Sequence, residues 1–206
     1  GLKHGSALTV WHIGGAGERY LRARRGDTAR RRYHQPNAPF IAHTLAIADV
    51  ATALREQANT GRFELLELAS EPGCWRDFTG PGGQVLTLKP DLFAVTADPT
   101  TETHSFIEVD LDTEHPSAVV RKCRLYQQYF RTGIEQQARG LFPAIVWIVP
   151  TMKRTRALQE AIASDRTLDS HLFWVIPSEQ TLAQLAPYST DVETGNTTSY
   201  PKGGIS

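Results

Sequence analysis

The chain has 206 residues, 22 Lys and Arg against 22 Asp and Glu, and 40% apolar residues, an ordinary globular composition with room for one good core. No apolar run approaches the roughly 20 residues that span a bilayer and no secretory signal opens the chain, so no membrane partner is expected and a cytoplasmic setting is. The two cysteines, Cys74 and Cys123, lack the CxxC or Cys/His spacing of a zinc site.

The zero net charge hides an uneven distribution. Arg19, Arg22, Arg24, Arg25, Arg30, Arg31 and Arg32 crowd into fourteen positions, while acids concentrate later. Local charge governs phosphate binding, so Arg22, Arg24, Arg25, Arg30, Arg31 and Arg32 are candidate DNA contacts. A solvated basic helix face or linker is the alternative that composition leaves open.

In chain order, Ala7–Ile13 reads as a strand, Gly14–Gly17 as a turn and Glu18–Arg25 as a short helix. The glycines do not make a nucleotide loop, because the third glycine of GxGxxG and a following Gly-Lys-Ser/Thr are missing. A strand without an earlier partner suggests the end of an upstream domain over residues 1–25. Residues 26–40, basic and carrying Pro36 and Pro39, read as a linker.

From Ile41 to Asn59 the apolar positions Ile41, Leu45, Ala48, Ala51 or Val50, Leu54 and Ala58 follow a helical period, with Gly61 after its end. His43 and Asp49 lie in this helix, either exposed or facing acids elsewhere. Phe63–Leu68 is a short strand, and residues 73–83 read as a loop. Val85–Val95 and His104–Asp110 are strands joined by a hairpin loop at Asp98–Thr101. Pro116 opens a helix to about Arg131, with Val119, Val120, Cys123, Tyr126 and Phe130 as its inward stripe. Pro143–Pro150 and Leu172–Pro177 are continuous apolar runs, the signature of strands buried on both faces. A helix from Met152 to Ala163 separates them. Ser178-Glu179 caps a last helix to Ala186, and residues 187–206 read as a flexible tail. The order from Ile41 is α-β-β-β-α-β and then α-β-α, which implies a mixed sheet between helices.

Acids stand where a purely structural strand avoids them. Asp91 opens one strand directly after Pro90, and Glu108 and Asp110 lie two apart near the end of the next, on one face of it. Antiparallel pairing through the hairpin brings Asp91 beside Glu108 or Asp110. Clustered carboxylates repel one another, and a hard cation such as Mg²⁺ or Mn²⁺ relieves that repulsion and can activate water for phosphodiester hydrolysis.

Pro90-Asp91, the hairpin and Glu108-Val109-Asp110 within this element order resemble the PD-(D/E)xK nucleases. The stretch Phe106-Ile107-Glu108-Val109-Asp110-Leu111-Asp112-Thr113-Glu114, with Arg121-Lys122 and Tyr126 downstream, more closely resembles the replication-relaxation proteins of plasmids and mobile elements, over about residues 7–186. The resemblance implies a restriction-endonuclease-like αβββαβ core over residues 41–186. It also implies that Leu8–Leu21 is a remnant of an N-terminal winged helix. It assigns Asp91 and Glu108 as metal ligands and catalytic residues, Asp110 as a third ligand and Glu71 as a further candidate. The usual lysine position holds Asp110, a departure that Lys122 on the following helix would make good. Tyr126 and Tyr129 are expected to pack on the sheet. The seven histidines form no cluster of the kind relaxases bring to a metal.

Two functions follow from these residues. One is a Mg²⁺- or Mn²⁺-dependent DNA nuclease or nicking enzyme of plasmid replication or relaxation. The other is a DNA-binding regulator or replication accessory in which the nuclease fold has lost catalysis. DNA is the expected partner in both, and oligomeric state, a dimer included, is left open.

Overall fold

The computed structural model describes residues 13–27, 37–181 and 185. The chain divides into two compact units, Gly1–Phe40 and Ile41–Ser206.

In the first unit, α1 spans Gly15–Arg24 and holds its Glu18 and Arg22 in an i,i+4 ion pair of 2.8 Å. The strand expected over Ala7–Ile13 lies outside the described residues except for Ile13, which is irregular, and so does most of the linker over 26–40. Asn37 Oδ1 accepts the Phe40 amide and so starts α2, Ala38–Asn59, three residues earlier than the apolar period indicates.

The second unit is built on a five-stranded sheet. Its members are β1 (Glu64–Ser70), β4 (Leu92–Ala97), β5 (Glu102–Val109), β6 (Ala144–Val149) and β7 (Phe173–Pro177), side by side in that order. β1, β4 and β5 run antiparallel, whereas β5, β6 and β7 run parallel, so the sheet is mixed as expected. The Asp98–Thr101 loop joins β4 to β5, and Asp98 Oδ1 accepts the amides of Thr100 and Thr101, both at 2.7 Å. α3 (Pro116–Thr132) carries the chain from β5 towards β6, and α5 (Met152–Ser164) carries it from β6 to β7. α3 is capped by His115 and stopped by Gly133, whose φ of 72° suits a residue without a Cβ.

Alternation along the strands feeds two cores. Phe93, Val95, Phe106, Ile145, Trp147 and Val175 pack with Val119, Cys123, Tyr126 and Tyr129 of α3 and Leu158 and Ile162 of α5. Leu92, Ala94, Ile107, Val109, Val146 and Ile148 pack with Ile47, Ala51 and Leu54 of α2. The result is a three-layer α/β/α sandwich.

Gly15–Gly17, read as part of a turn, begin α1 instead, and four further places depart from the sequence reading. The inward stripe of α2 is Ile47, Ala51 and Leu54, while Leu45 and Ala48 are exposed. The apolar period of α2 fits two neighbouring faces, and only contact with the sheet selects one. Residues 73–83 are not all loop, because β2 (Arg76–Thr79) pairs antiparallel with β3 (Val85–Leu88) in a separate ribbon. The single strand read over Val85–Val95 is therefore two, broken at Pro90, which has no amide to donate to a ladder. A short helix α4, Ile134–Arg139, follows α3 and was not expected, since six residues carry too little periodicity. Beyond β7 a 3₁₀ turn spans Ser178–Gln180 and Thr181 and Leu185 are helical, while residues 182–184 and 186 of the final helix read to Ala186 lie outside the described residues, as does the tail.

Leu54 is fully buried and Leu45 is 42% exposed. Leu54→Ala is expected to cost about 2–5 kcal/mol. Leu45→Ala is expected to stay within about 0.5 kcal/mol. Urea unfolding of both variants checks which face of α2 is inward.

Candidate functional site

Asp91, Glu108 and Asp110 meet at one edge of the sheet, where β4 begins and β5 ends. Leu92 pairs with Ile107, so Asp91 stands one step further along, opposite Glu108. The Asp91 amide donates to the Ile107 carbonyl at 3.1 Å, and its Oδ2 accepts the Val109 amide at 2.8 Å. These two bonds fix the carboxylate on the backbone of the neighbouring strand. Its other oxygen, Oδ1, lies 3.3 Å from His43 Nε2 of α2.

Glu108 is 1% exposed and lies on the sheet face that α3 covers. Lys122 and Tyr126, one helical turn apart on α3, hold its two oxygens: the Lys122 ammonium pairs with Oε2, and the Tyr126 hydroxyl donates to Oε1 at 2.5 Å. Residues four apart share a helix face, so α3 can present both groups to one carboxylate. Burial pushes the Glu108 carboxyl up to about 7; the Lys122 ammonium offsets part of that effect, and the nearby Asp91 carboxylate adds to it. Lys122 keeps 30% of its side chain in water. Burial disfavours its charge, but Glu108 and Asp91 outweigh that and raise its pKa. The proton that the pair contests is therefore that of Glu108, while Lys122 stays charged. Tyr126 is raised well above the usual phenol range, by burial first and then by Glu108, which makes it a hydrogen-bond donor rather than a nucleophile. Tyr129 also packs in the core and donates to Glu135 at 2.9 Å.

Asp110 faces a different partner. Arg154, in the first turn of α5, donates Nε to its Oδ2 at 2.6 Å and Nη2 to its Oδ1 at 3.2 Å. The same guanidinium reaches Asp112 Oδ1 at 3.1 Å and the Glu114 carbonyl at 2.6 Å. Arg154 is 5% exposed and ties the exit of β5 to the start of α5. The Asp110 carboxylate is thus neutralised by an arginine 44 residues away. Sequence reasoning missed Arg154. A basic residue in the first turn of a helix, where the backbone already presents positive charge, was the available signal.

The structure brings together Asp91, Glu108 and Lys122 and adds Tyr126 and His43. Asp110 lies on the same edge but is engaged by Arg154. Glu71 stands beside Asp91 only through its backbone: its amide donates to the Asp91 carbonyl at 3.3 Å, and its side chain is exposed. Among the described residues no group of three or more His, Cys, Asp or Glu is placed to hold a metal ion. Of the candidate DNA contacts, Arg22 pairs with Glu18, Arg24 and Arg25 are exposed on and just past α1, and Arg30, Arg31 and Arg32 lie outside the described residues.

Asp91 keeps one oxygen off the backbone, and Glu108 is its acidic neighbour with a cation at hand. One or two carboxylates completed by water and phosphate oxygens are what Mg²⁺ commonly uses. Both oxygens of Asp110 accept from Arg154 and both of Glu108 are met by Lys122 and Tyr126, so an ion on Asp91 Oδ1 would gain a second carboxylate only by displacing one of these partners. No helix among the described residues is long and apolar enough to cross a membrane.

Comparison with known proteins gives one match. The replication-relaxation family matches residues 1–145, which include α1, α2, the antiparallel part of the sheet and α3 with every side chain of the site except Arg154. No curated protein and no solved structure matches the chain.

Two outcomes follow from these environments. Arg154→Ala leaves Asp110 buried and unpaired, and is expected to cost about 3–5 kcal/mol in urea unfolding; replacing both with Met and Leu recovers most of that loss. Folded Glu108 holds its proton up to about pH 7, against an ordinary value of 4.5. The folded state is the better proton binder between those values, so stability is greatest below the window and falls as pH rises through it. Glu108→Gln is expected to flatten that slope, read from unfolding midpoints at pH 5, 6 and 7.

Proposed function

The chain belongs to the replication-relaxation family, and from that premise we propose that residues 41–186 carry a metal-dependent phosphodiester centre acting on DNA. Membership itself supports a role in the replication or relaxation of plasmid or mobile-element DNA. The further reading adds chemistry at a named place, within a nuclease-like core of the PD-(D/E)xK type.

The observation that carries it is the Lys122 ammonium resting on Glu108, with Asp91 opposite on the neighbouring strand. A carboxylate pair can hold a divalent ion, and an ammonium beside it can stabilise charge developing on a phosphodiester. Asp91 and Glu108 would hold the ion, Mg²⁺ or Mn²⁺, which supplies Lewis-acid polarisation and an acidified water when bound. The Lys122 ammonium would stabilise charge building on the phosphoryl oxygens. Tyr126 orients Glu108 from the far side and excludes water from it. The Val109 amide orients Asp91. The arginines at 22, 24, 25, 30, 31 and 32 would supply sequence-independent phosphate contacts, an electrostatic contribution that weakens with salt.

A second reading is favoured by one observation. Position 110 holds a carboxylate neutralised by Arg154, and both Glu108 oxygens already have partners, so the site is internally satisfied. A DNA-binding regulator or replication accessory of the same fold would need nothing more.

Supercoiled plasmid incubated with the chain and Mg²⁺ or Mn²⁺ separates the two. The first reading expects nicked or linear product, lost on Glu108→Gln or Asp91→Asn and reduced by about 10²–10³ on Lys122→Met. Plasmid retarded in a gel but uncut by wild type in both metals supports the second. Cleavage unaffected by Glu108→Gln removes this site from the reaction altogether.

A further inference from the structure

Two cations at the edge that carries Asp91 and Glu108 are already engaged, Lys122 with Glu108 and Arg154 with Asp110 and Asp112. Glu71, Asp112 and Glu114 are exposed along the same boundary. A polyanion approaching it is repelled unless a cation outside these pairs meets it. Lys89, two residues before Asp91, is exposed and has no ion pair among the described residues. No part of the function proposed above uses it.

Lys89 is also held in place. Its ammonium lies 4.4 Å from the centroid of the Trp75 ring, inside the roughly 6 Å over which an aromatic face attracts a cation. Trp75 is half-buried against the core that contains Phe93 and Tyr126. Its indole N–H has no hydrogen-bond partner among the described residues, so the ring acts through its face. The turn that carries Trp75 is fastened to the approach to β4. The Glu71 amide donates to the Asp91 carbonyl at 3.3 Å, and the Cys74 thiol donates to the Pro90 carbonyl at 3.0 Å. Arg76 Nη1 closes the other side of the turn, donating to the Cys74 and Trp75 carbonyls at 2.9 and 3.2 Å. Trp75, Lys89 and Asp91 thus belong to one interlocked piece of backbone.

We propose that Lys89, held by Trp75, is a positioning residue that takes one backbone phosphate of a DNA duplex lying across Asp91 and Glu108. The inference rests on this edge receiving DNA, as in the function proposed above, and adds the residue that sets the strand in register. An ammonium meets a phosphate as a point charge and reads no base, so the contact is the same for every sequence. The Trp75 face restrains the lysine before DNA arrives. Less side-chain freedom is then lost on binding, and more of the attraction appears as affinity.

Fluorescence anisotropy of a short labelled DNA duplex, in EDTA and over a series of NaCl concentrations, tests this on the full chain. The variants are Lys89→Met, Lys89→Arg, Trp75→Leu and the Lys89→Met/Trp75→Leu double variant. Arg131→Met is the control, an exposed arginine in the last turn of α3. Circular dichroism confirms that each variant folds. Lys89→Met is expected to weaken binding about three- to tenfold at low salt and to make the slope of log K against log[salt] shallower by about one. Lys89→Arg is expected to keep the slope of wild type. Trp75→Leu is expected to keep that slope and lose about two- to tenfold in affinity. In the double variant it is expected to add nothing to Lys89→Met, because the ring acts through the lysine. On plasmid with Mg²⁺, Lys89→Met is expected to raise KM and leave kcat within about twofold.

If Lys89→Met keeps the affinity and salt slope of wild type, the inference falls. It falls equally if Arg131→Met matches the loss of Lys89→Met, since net charge and not place then accounts for the effect. If Trp75→Leu binds like wild type, or weakens the Lys89→Met variant as much as it weakens wild type, the ring does not act through Lys89 and the inference falls as stated. None of these outcomes touches the phosphodiester centre, whose loss is read from Glu108→Gln and Asp91→Asn on plasmid. A wild-type chain that binds no duplex at any salt concentration removes DNA from this edge, and the inference with it.

Discussion

The burial of Glu108 is the constraint on which the rest of the unit depends. A carboxylate at the end of a central strand, with almost no exposure, is tolerated only where its charge and lone pairs are answered. α3 answers both, with Lys122 on one oxygen and the Tyr126 hydroxyl on the other. The helix must therefore sit at one height over the sheet and at one rotation about its axis. That same rotation turns Val119, Cys123, Tyr126 and Tyr129 into the core. Packing and polar satisfaction thus select one docking of α3, and the edge that carries the acids inherits its geometry from that agreement.

The same rule recurs around the site. Asp110 and Arg154 join the exit of β5 to α5, and buried Glu135 is met by Arg76 from β2 at 2.6 Å and by Arg139 within α4 at 3.3 Å. Arg76 and Arg139 also lie over the Phe93 ring, at 5.2 and 4.5 Å from its centroid, which carries the ribbon and α4 onto the sheet. Glu108, Asp110 and Glu135 thus each have a cation from another element. Such pairs add little net stability, because desolvation offsets most of the attraction, but they penalise any arrangement that leaves one partner alone. They favour a unique docking of short pieces such as β2 and α4, which bury little apolar surface of their own.

How much of this the sequence disclosed follows from how local each signal is. The buried strands at Ala144–Val149 and Phe173–Pro177 are apolar runs closed by prolines, and α3 carries its own N-terminal proline and inward stripe, so all three were legible. So was the meeting of Asp91 with Glu108, because a hairpin fixes the register of its strands. The β2–β3 ribbon was not, since Arg76-Asp77-Phe78-Thr79 alternates over only four residues and its partner merges with β4 in sequence. The inward face of α2 was read correctly at Ala51, Leu54 and Ala58 and wrongly at Leu45 and Ala48, because small and apolar residues occupy more than one side of it. Among the site's partners Lys122 was legible and His43 was read as either exposed or facing acids, whereas Arg154 was not seen. Arg154 lies 44 residues from Asp110 and His43 lies 48 from Asp91, and nothing local to either announces its partner.

One edge gathers these groups for a topological reason. β5 is where the sheet changes from antiparallel to parallel pairing. An antiparallel neighbour begins where β5 ends, which puts the start of β4, with Asp91, beside Glu108. A parallel neighbour ends where β5 ends, which puts the end of β6 and the first turn of α5, with Arg154, beside Asp110. The start of α3 follows from the end of β5 itself and delivers Lys122. A purely parallel sheet could not bring a strand start to this edge, and a purely antiparallel one could not bring the first turn of a crossover helix. The change of direction at β5 is thus what allows a backbone-anchored aspartate, a buried glutamate and two helix-borne cations to share one boundary, and it follows from a four-residue hairpin loop succeeded by a helical crossover.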